Sequence, residues 1–261
     1  MSNRIDRTRL PWVAAATFLA PASVVADAPP VSIADFDREA LEQGLGVGVV
    51  AEPLPAPVLS DPELYAGSRT GSRHFRRVDA GGAAVVEAMN WTSLSLADGA
   101  RAWRYAAGAD EAGIVARDAD GSFVVTGIED ARDHALTRYE PAEPLLVKDI
   151  APGQEKRIRM AVRVYDLGRP DELMHDGALD VTYRYVGAYR LHLPAGTFDA
   201  ILMKSTFSGT IGPAVLEDTQ YRFFAPHAGL VAMIERRDVS ALLVYNAQTR
   251  VSRVLMVPSD G

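Results

Sequence analysis

The feature that most constrains this chain is a strict two-residue alternation held over long stretches of its C-terminal half. In Glu155–Tyr165, Ile158, Met160, Val162 and Val164 face one way while Arg157, Arg159 and Arg163 face the other. In Val181–Leu193, Val181, Tyr183, Tyr185, Tyr189, Leu191 and Leu193 share a face opposite Thr182, Arg184, Arg190 and His192. A period of two over this length is a β-strand with one wet face and one covered face.

The same reading gives a run of strands from Arg73–Val78 to Arg250–Val257, most of them separated by turns such as Asp118-Ala119-Asp120-Gly121 and Pro194-Ala195-Gly196. Connections this short join antiparallel neighbours, because a parallel pair needs a crossover of about a dozen residues. The expected fold is mainly β: a curved antiparallel sheet or open half-barrel with a short N-terminal helix. That helix is expected over Ser32–Gln43, with Ser32 as its cap, Gly44 as its stop, and Ile33, Phe36, Ala40 and Leu41 on one face. Pro53, Pro55, Pro57 and Pro62 then make an extended lead.

The chain begins with an address. Arg4, Arg7 and Arg9 precede the apolar run from Leu10 to Ala20, and Val24 and Ala26 fit a signal-peptidase site. Pro11 and Pro21 interrupt the apolar segment, which is too short for a membrane anchor. The expected organisation is a signal peptide over 1–26, a helix and Pro-rich lead over 27–68, and an antiparallel β domain over 69–261, with an internal break near 140–153. Cleavage after Ala26 takes three of 27 basic and one of 34 acidic residues, moving the net charge from −7 to −9. The mature chain is expected to be periplasmic, without a transmembrane segment.

An acidic chain of this kind argues against nucleic-acid binding. The absence of Cys excludes disulfides, thiolate metal sites and Cys nucleophiles. The five histidines, His74, His134, His175, His192 and His227, form no zinc spacing, and Gly67-Ser68-Arg69-Thr70-Gly71 places Arg where a nucleophile elbow has Ser. Asp118-x-Asp120-Gly121 is half of a calcium loop and reads as a turn. No catalytic residue, metal or cofactor is expected.

Two surfaces remain as candidates. Tyr183, Tyr185, Tyr189 and Phe223, with Met160, Met203, Phe207 and Trp103 nearby, would line a groove for an apolar or amphipathic ligand such as a lipid. Arg157, Arg159, Arg163, Arg184 and Arg190 would share one sheet face and hold an anionic group, if their strands pair. The opposing reading of that row is a solvated face balanced by Glu155 and Asp180.

The C-terminal third also carries a cadence: Leu193-Pro194-Ala195-Gly196-Thr197-Phe198, then Ala225-Pro226-His227-Ala228-Gly229-Leu230-Val231. It resembles a group of uncharacterised exported bacterial β-sheet proteins that share these two turns, over about residues 145–257. More distantly the chain is similar to the half-barrel lipoprotein carriers of the LolA and LppX type. That likeness implies acyl chains held on a concave sheet face, and no catalytic residue. The expected function is therefore a non-enzymatic periplasmic binding or carrier module. The alternatives are an envelope interaction or assembly protein, working through an edge strand or the Arg face, and a hydrolase with a non-local site.

Overall fold

The computed structural model describes residues 27–67, 70–95, 101–241 and 245–256. The leader over 1–26 and its cleavage site lie outside the described residues. The lead contains α1 (Asp35–Leu45), β1 (Val50–Leu54) and α2 (Pro62–Ala66). The strands that follow are β2 (Gly71–Asp79), β3 (Ala84–Ser95), β4 (Arg101–Ala107), β5 (Glu111–Arg117), β6 (Phe123–Asp130) and β7 (Ala135–Leu146). They continue as β8 (Glu155–Asp166), β9 (Arg169–Leu193), β10 (Gly196–Ile211), β11 (Ala214–Ala225), β12 (Gly229–Ala241) and β13 (Tyr245–Leu255).

Each strand from β2 onward pairs antiparallel with the next, as short turns require. The last strand then pairs with the first, from Val251↔Asp79 to Leu255↔Phe75. The expected curved sheet or open half-barrel is thereby corrected: β2–β13 form a closed twelve-strand barrel. Most hairpins have a local sequence signal, although β12 ends at Ala241 and β13 begins at Tyr245 where the sequence reads as a strand over Ala241–Asn246. Closure joins residues 75–79 to 251–255, and neither segment's alternation marks the other. Closure also removes the two unpaired edges that an open sheet would present. With it goes the open concave face on which the likeness to LolA and LppX rested. Strands on both sides of the 140–153 segment belong to the same sheet.

At 25 residues β9 is the longest strand, and it serves two neighbours on one side. β8 covers it from Arg169 to Arg184, and β1 covers Ala188–Leu191. The lead read as irregular therefore contributes a strand. A bulge lies between these two stretches, because Met203 pairs with Tyr185 while the adjacent Leu202 pairs with Gly187, leaving Val186 extra. One inserted residue reverses which side every later residue faces. Tyr183 and Tyr185 thus point into the barrel, whereas Tyr189, Leu191 and Leu193 pack with the other cluster that contains α1. The expected single face from Val181 to Leu193 is divided at that bulge.

α1 lies against the outside of the wall. Ala40, Leu41 and Leu45 pack in one cluster with Leu202, Tyr221, Phe223, Ala232 and Ile234. Burying a leucine side chain such as Leu41 is worth about 1.5–3 kcal/mol. Asp37 fixes the helix start, accepting hydrogen bonds from the Tyr221 hydroxyl at 2.6 Å and Lys204 Nζ at 2.5 Å. The helix departs from expectation at three points. Its N-cap is Ala34, with no side-chain cap, so Ser32 plays no such part. It runs through Gly44, where a Cβ would come within 2.5 Å of Ile234, so the glycine marks a close approach to β12. Phe36, expected on the buried face, is 70% exposed.

Candidate functional site

We call the barrel end with the β9–β10 and β11–β12 turns lower, and the opposite end upper. The lower lumen is packed with aromatic and aliphatic side chains: Tyr183, Tyr185, Trp103, Phe123, Leu146 and Met203 meet there. The lead closes this end. Ala56, Leu59 and Tyr65 join the same cluster, Leu59 N–H donates to the Ile150 carbonyl, and His227 N–H donates to the Leu64 carbonyl. The Pro-rich segment can act as a plug because its own backbone groups find partners on the lower turns.

Burial shapes the chemistry of these tyrosines. The Tyr183 hydroxyl donates to the Leu145 carbonyl at 2.9 Å, bridging β9 to β7. The Tyr185 hydroxyl is buried with no hydrogen-bond partner among the described residues, and so is that of Tyr189. Desolvation raises the pKa of all three, that of Tyr189 to about 12. They stay neutral at physiological pH and keep their protons.

A second set of residues in the barrel interior is charged, and sequence reasoning missed it. Arg222 on β11 reaches Glu143 on β7 at 2.8 Å, and Glu143 is 3% exposed. Arg253 on β13 bonds Glu87 on β3 at 2.5 Å and Glu111 on β5 at 2.8 Å. Arg237 lies against Glu235 at 2.5 Å and Asp218 at 3.5 Å, and Gln220 links Asp218 to Arg222. A barrel of eight strands is filled by its inward side chains. Twelve strands enclose a wider space, and long Arg–carboxylate pairs reach across it where aliphatic chains would fall short.

Four arginines, Arg77, Arg222, Arg237 and Arg253, face six carboxylates, Asp79, Glu87, Glu111, Glu143, Asp218 and Glu235, so the network carries two excess negative charges when fully ionised. Asp218 shows the consequence. Burial first, and Glu235 second, push its pKa up to about 6 against the pull of Arg237, the Gln220 hydrogen bond and Arg222. The only sequence hint was polar residues such as Gln220 and Arg222 alternating with Tyr221 and Phe223 on a strand whose two faces are both covered.

The residues expected to form an aromatic groove are all core. Tyr183, Tyr185, Tyr189 and Phe223 are 1%, 0%, 1% and 0% exposed, the first two inside the barrel and the last two under the outer helix cluster. The arginine row is partly assembled. β8 and β9 do pair, and Arg157, Arg159, Arg163 and Arg184 share the outer face. Arg190 lies beyond the bulge, on the other side. Most of the row is matched by carboxylates: Arg157 by Glu155 at 2.6 Å, Arg159 by Asp180 at 3.0 Å, and Arg163 by Glu140 at 3.0 Å. Arg190 bonds Glu52 at 2.7 Å and Asp199 at 2.9 Å.

This stretch of the outer wall is charged and exposed. An arginine on the lipid face of a membrane barrel costs about 2–4 kcal/mol at mid-bilayer, and here Arg157, Arg159 and Arg163 stand exposed along one strand. Among the described residues, no helix is long and apolar enough to cross a membrane. The five histidines are all exposed, on β2, on β9 and in the β6–β7 and β11–β12 turns. No group of three metal-ligating side chains occurs among the described residues.

No family model and no curated protein matches the chain. Among solved structures it is similar to a Bacteroides fragilis protein described as exported and of YmcC-like fold, at 13% identity and a TM-score of 0.42, covering 76% of this chain and 99% of that one. A Parabacteroides distasonis protein described as a lipoprotein gives 13% identity, a TM-score of 0.36 and coverage of 75% and 99%. The Escherichia coli protein YmcC, described as a hypothetical lipoprotein, gives 9% identity, a TM-score of 0.41 and coverage of 88% and 98%. Likenesses this distant carry no activity over to this chain.

Proposed function

We propose that this protein is an exported, non-enzymatic module of the cell envelope that works by contact with another macromolecule. The observation that supports this reading best is the filled barrel. Its lower half is packed by Tyr183, Tyr185 and Phe123 and plugged by the lead, and its interior is braced by the buried ion pairs Arg222–Glu143 and Arg253–Glu87. A carrier of apolar or amphipathic ligand would need Tyr183, Tyr185, Tyr189 and Phe223 to line an open surface, and their burial weighs against it. A hydrolase would need histidines or carboxylates converging in an open cleft. The histidines are exposed, and the converging carboxylates are engaged by arginines inside the barrel. Export rests on the Arg4, Arg7, Arg9 and apolar-run leader.

The test is native mass spectrometry of protein purified from the periplasm, with organic extraction of the same sample. The expected result is a chain beginning at Asp27 with no co-purifying mass and no lipid in the extract. A lipid recovered in stoichiometric amount would overturn this reading in favour of a carrier. A chain retaining its first 26 residues would overturn the cleavage after Ala26.

A further inference from the structure

One seam in the barrel wall is only half paired. β7 and β8 pair from Ala135↔Asp166 to Glu140↔Ala161 and then part. Below that point β7 follows β6 instead, from Val125↔Glu143 to Phe123↔Leu146, and its Glu143 side chain reaches Arg222 inside the barrel. Pro141 and Pro144 lack an N–H and cannot donate to a neighbouring strand, so the lower half of β7 is poorly suited to continue the ladder. β8 stays in the wall. Its residues Glu155–Met160 pair with β9, from Glu155↔Arg184 to Met160↔Leu179, and have no strand partner on the β7 side among the described residues. Glu155, Lys156, Arg157 and Arg159 are exposed there. Such an edge offers a row of backbone donors and acceptors to any extended chain.

We propose that the Glu155–Met160 edge accepts an extended acidic segment of a partner polypeptide as an added strand. This deepens the envelope-contact reading above and rests on it. The six residues span about 20 Å, enough for a short strand held by main-chain hydrogen bonds. The side chains specify its chemistry. Outward positions of the added strand lie beside Arg157 and Arg159, with Arg163 and Arg184 on the same face, so alternate acidic residues would be favoured. The present partners, Glu155 and Asp180, form exposed ion pairs that hold the arginines weakly. Inward positions lie over exposed Lys156, half-buried Ile158 and buried Met160, and the last two favour apolar residues between the acidic ones. A groove of about 430 Å³ at the head of the seam, lined by Arg138, Tyr139 and Arg163 together with Glu129 and Glu140, offers room for a bulky uncharged side chain. A second copy of this chain is the poorer occupant, because edge-to-edge pairing would set Arg157 and Arg159 against their own copies.

The experiment uses the full mature chain and a labelled short peptide alternating Val and Glu. Its controls are a Val/Lys peptide and Val/Glu peptides N-methylated on one or the other alternate set of amides. The Val/Glu peptide should bind and slow hydrogen exchange at Glu155–Met160 by about tenfold or more. One N-methylated form should lose binding, the Val/Lys peptide should not bind, and Arg157→Glu with Arg159→Glu should weaken binding by about tenfold. Unchanged exchange at Glu155–Met160, or equal binding of both N-methylated forms, would overturn the added-strand proposal. Photo-crosslinkers in living cells separate this from failure of the wider reading. A macromolecular partner captured at Phe36 and never at Arg157 refutes the edge alone, whereas lipid in the organic extract refutes the contact reading and leaves the peptide result standing.

Discussion

Arg222 on β11 and Glu143 on β7 meet at 2.8 Å inside the barrel, although their strands are not neighbours in the sheet. The pair is a strut between two parts of the wall. Removing one member leaves the other charged and buried, at a cost of about 3–5 kcal/mol, while replacing both by apolar residues of similar size is close to neutral. Glu143→Leu should therefore lower the urea midpoint strongly, and adding Arg222→Met should recover most of the loss. A double variant no more stable than Glu143→Leu alone would remove the strut from the account.

Asp218 makes stability depend on pH in an unusual direction for a carboxylate. Its pKa is raised from 3.8 to about 6, so the native state holds a proton that the unfolded chain has released. Its contribution is fully present below about pH 4 and is lost as pH rises through about 6, a change of about 3 kcal/mol. Asp218→Asn should flatten that part of the profile. Urea titrations at stepped pH check this, and an unaltered slope would show that other groups set it.

The two inward tyrosines should respond differently to loss of a hydroxyl. Tyr183→Phe removes a 2.9 Å hydrogen bond to the Leu145 carbonyl and should cost about 1 kcal/mol. Tyr185→Phe removes a hydroxyl buried without a partner among the described residues, and should be neutral or stabilising. Thermal unfolding of the two variants side by side gives the comparison.

Closure of the barrel rests on the pairing of β13 with β2, where Phe75 and Leu255 are both fully buried. Phe75→Ala should destabilise by about 3–5 kcal/mol. Ending the chain before Thr249 should do more, because it frees the edges of β2 and β12 for association between molecules. Light scattering and sedimentation should report aggregates for the truncation and a folded monomer-sized species for Phe75→Ala at low temperature.

How much of this was legible beforehand follows from the range of each signal. The outward series Arg157, Arg159, Arg163 and the inward series Ile158, Met160, Val162 were readable residue by residue, because a strand's side-chain period is a local property. Hairpin turns such as Pro194-Ala195-Gly196 were readable for the same reason. The aromatic set is divided because one bulged residue, Val186, moves Tyr189 to the other side from Tyr183 and Tyr185. A bulge has no reliable local mark in an alternating sequence.

The sequence by itself determined that this chain makes antiparallel strands, where most of them turn, and that one strand face carries arginines. Only the tertiary structure decided that residues 75–79 meet 251–255, that the ring is therefore closed, and that Arg222, Arg237 and Arg253 find five carboxylates inside it. The physical reason is that pairing between distant strands depends on the summed twist and length of everything between them. A charged residue on a strand reads as exposed until the far wall supplies its partner.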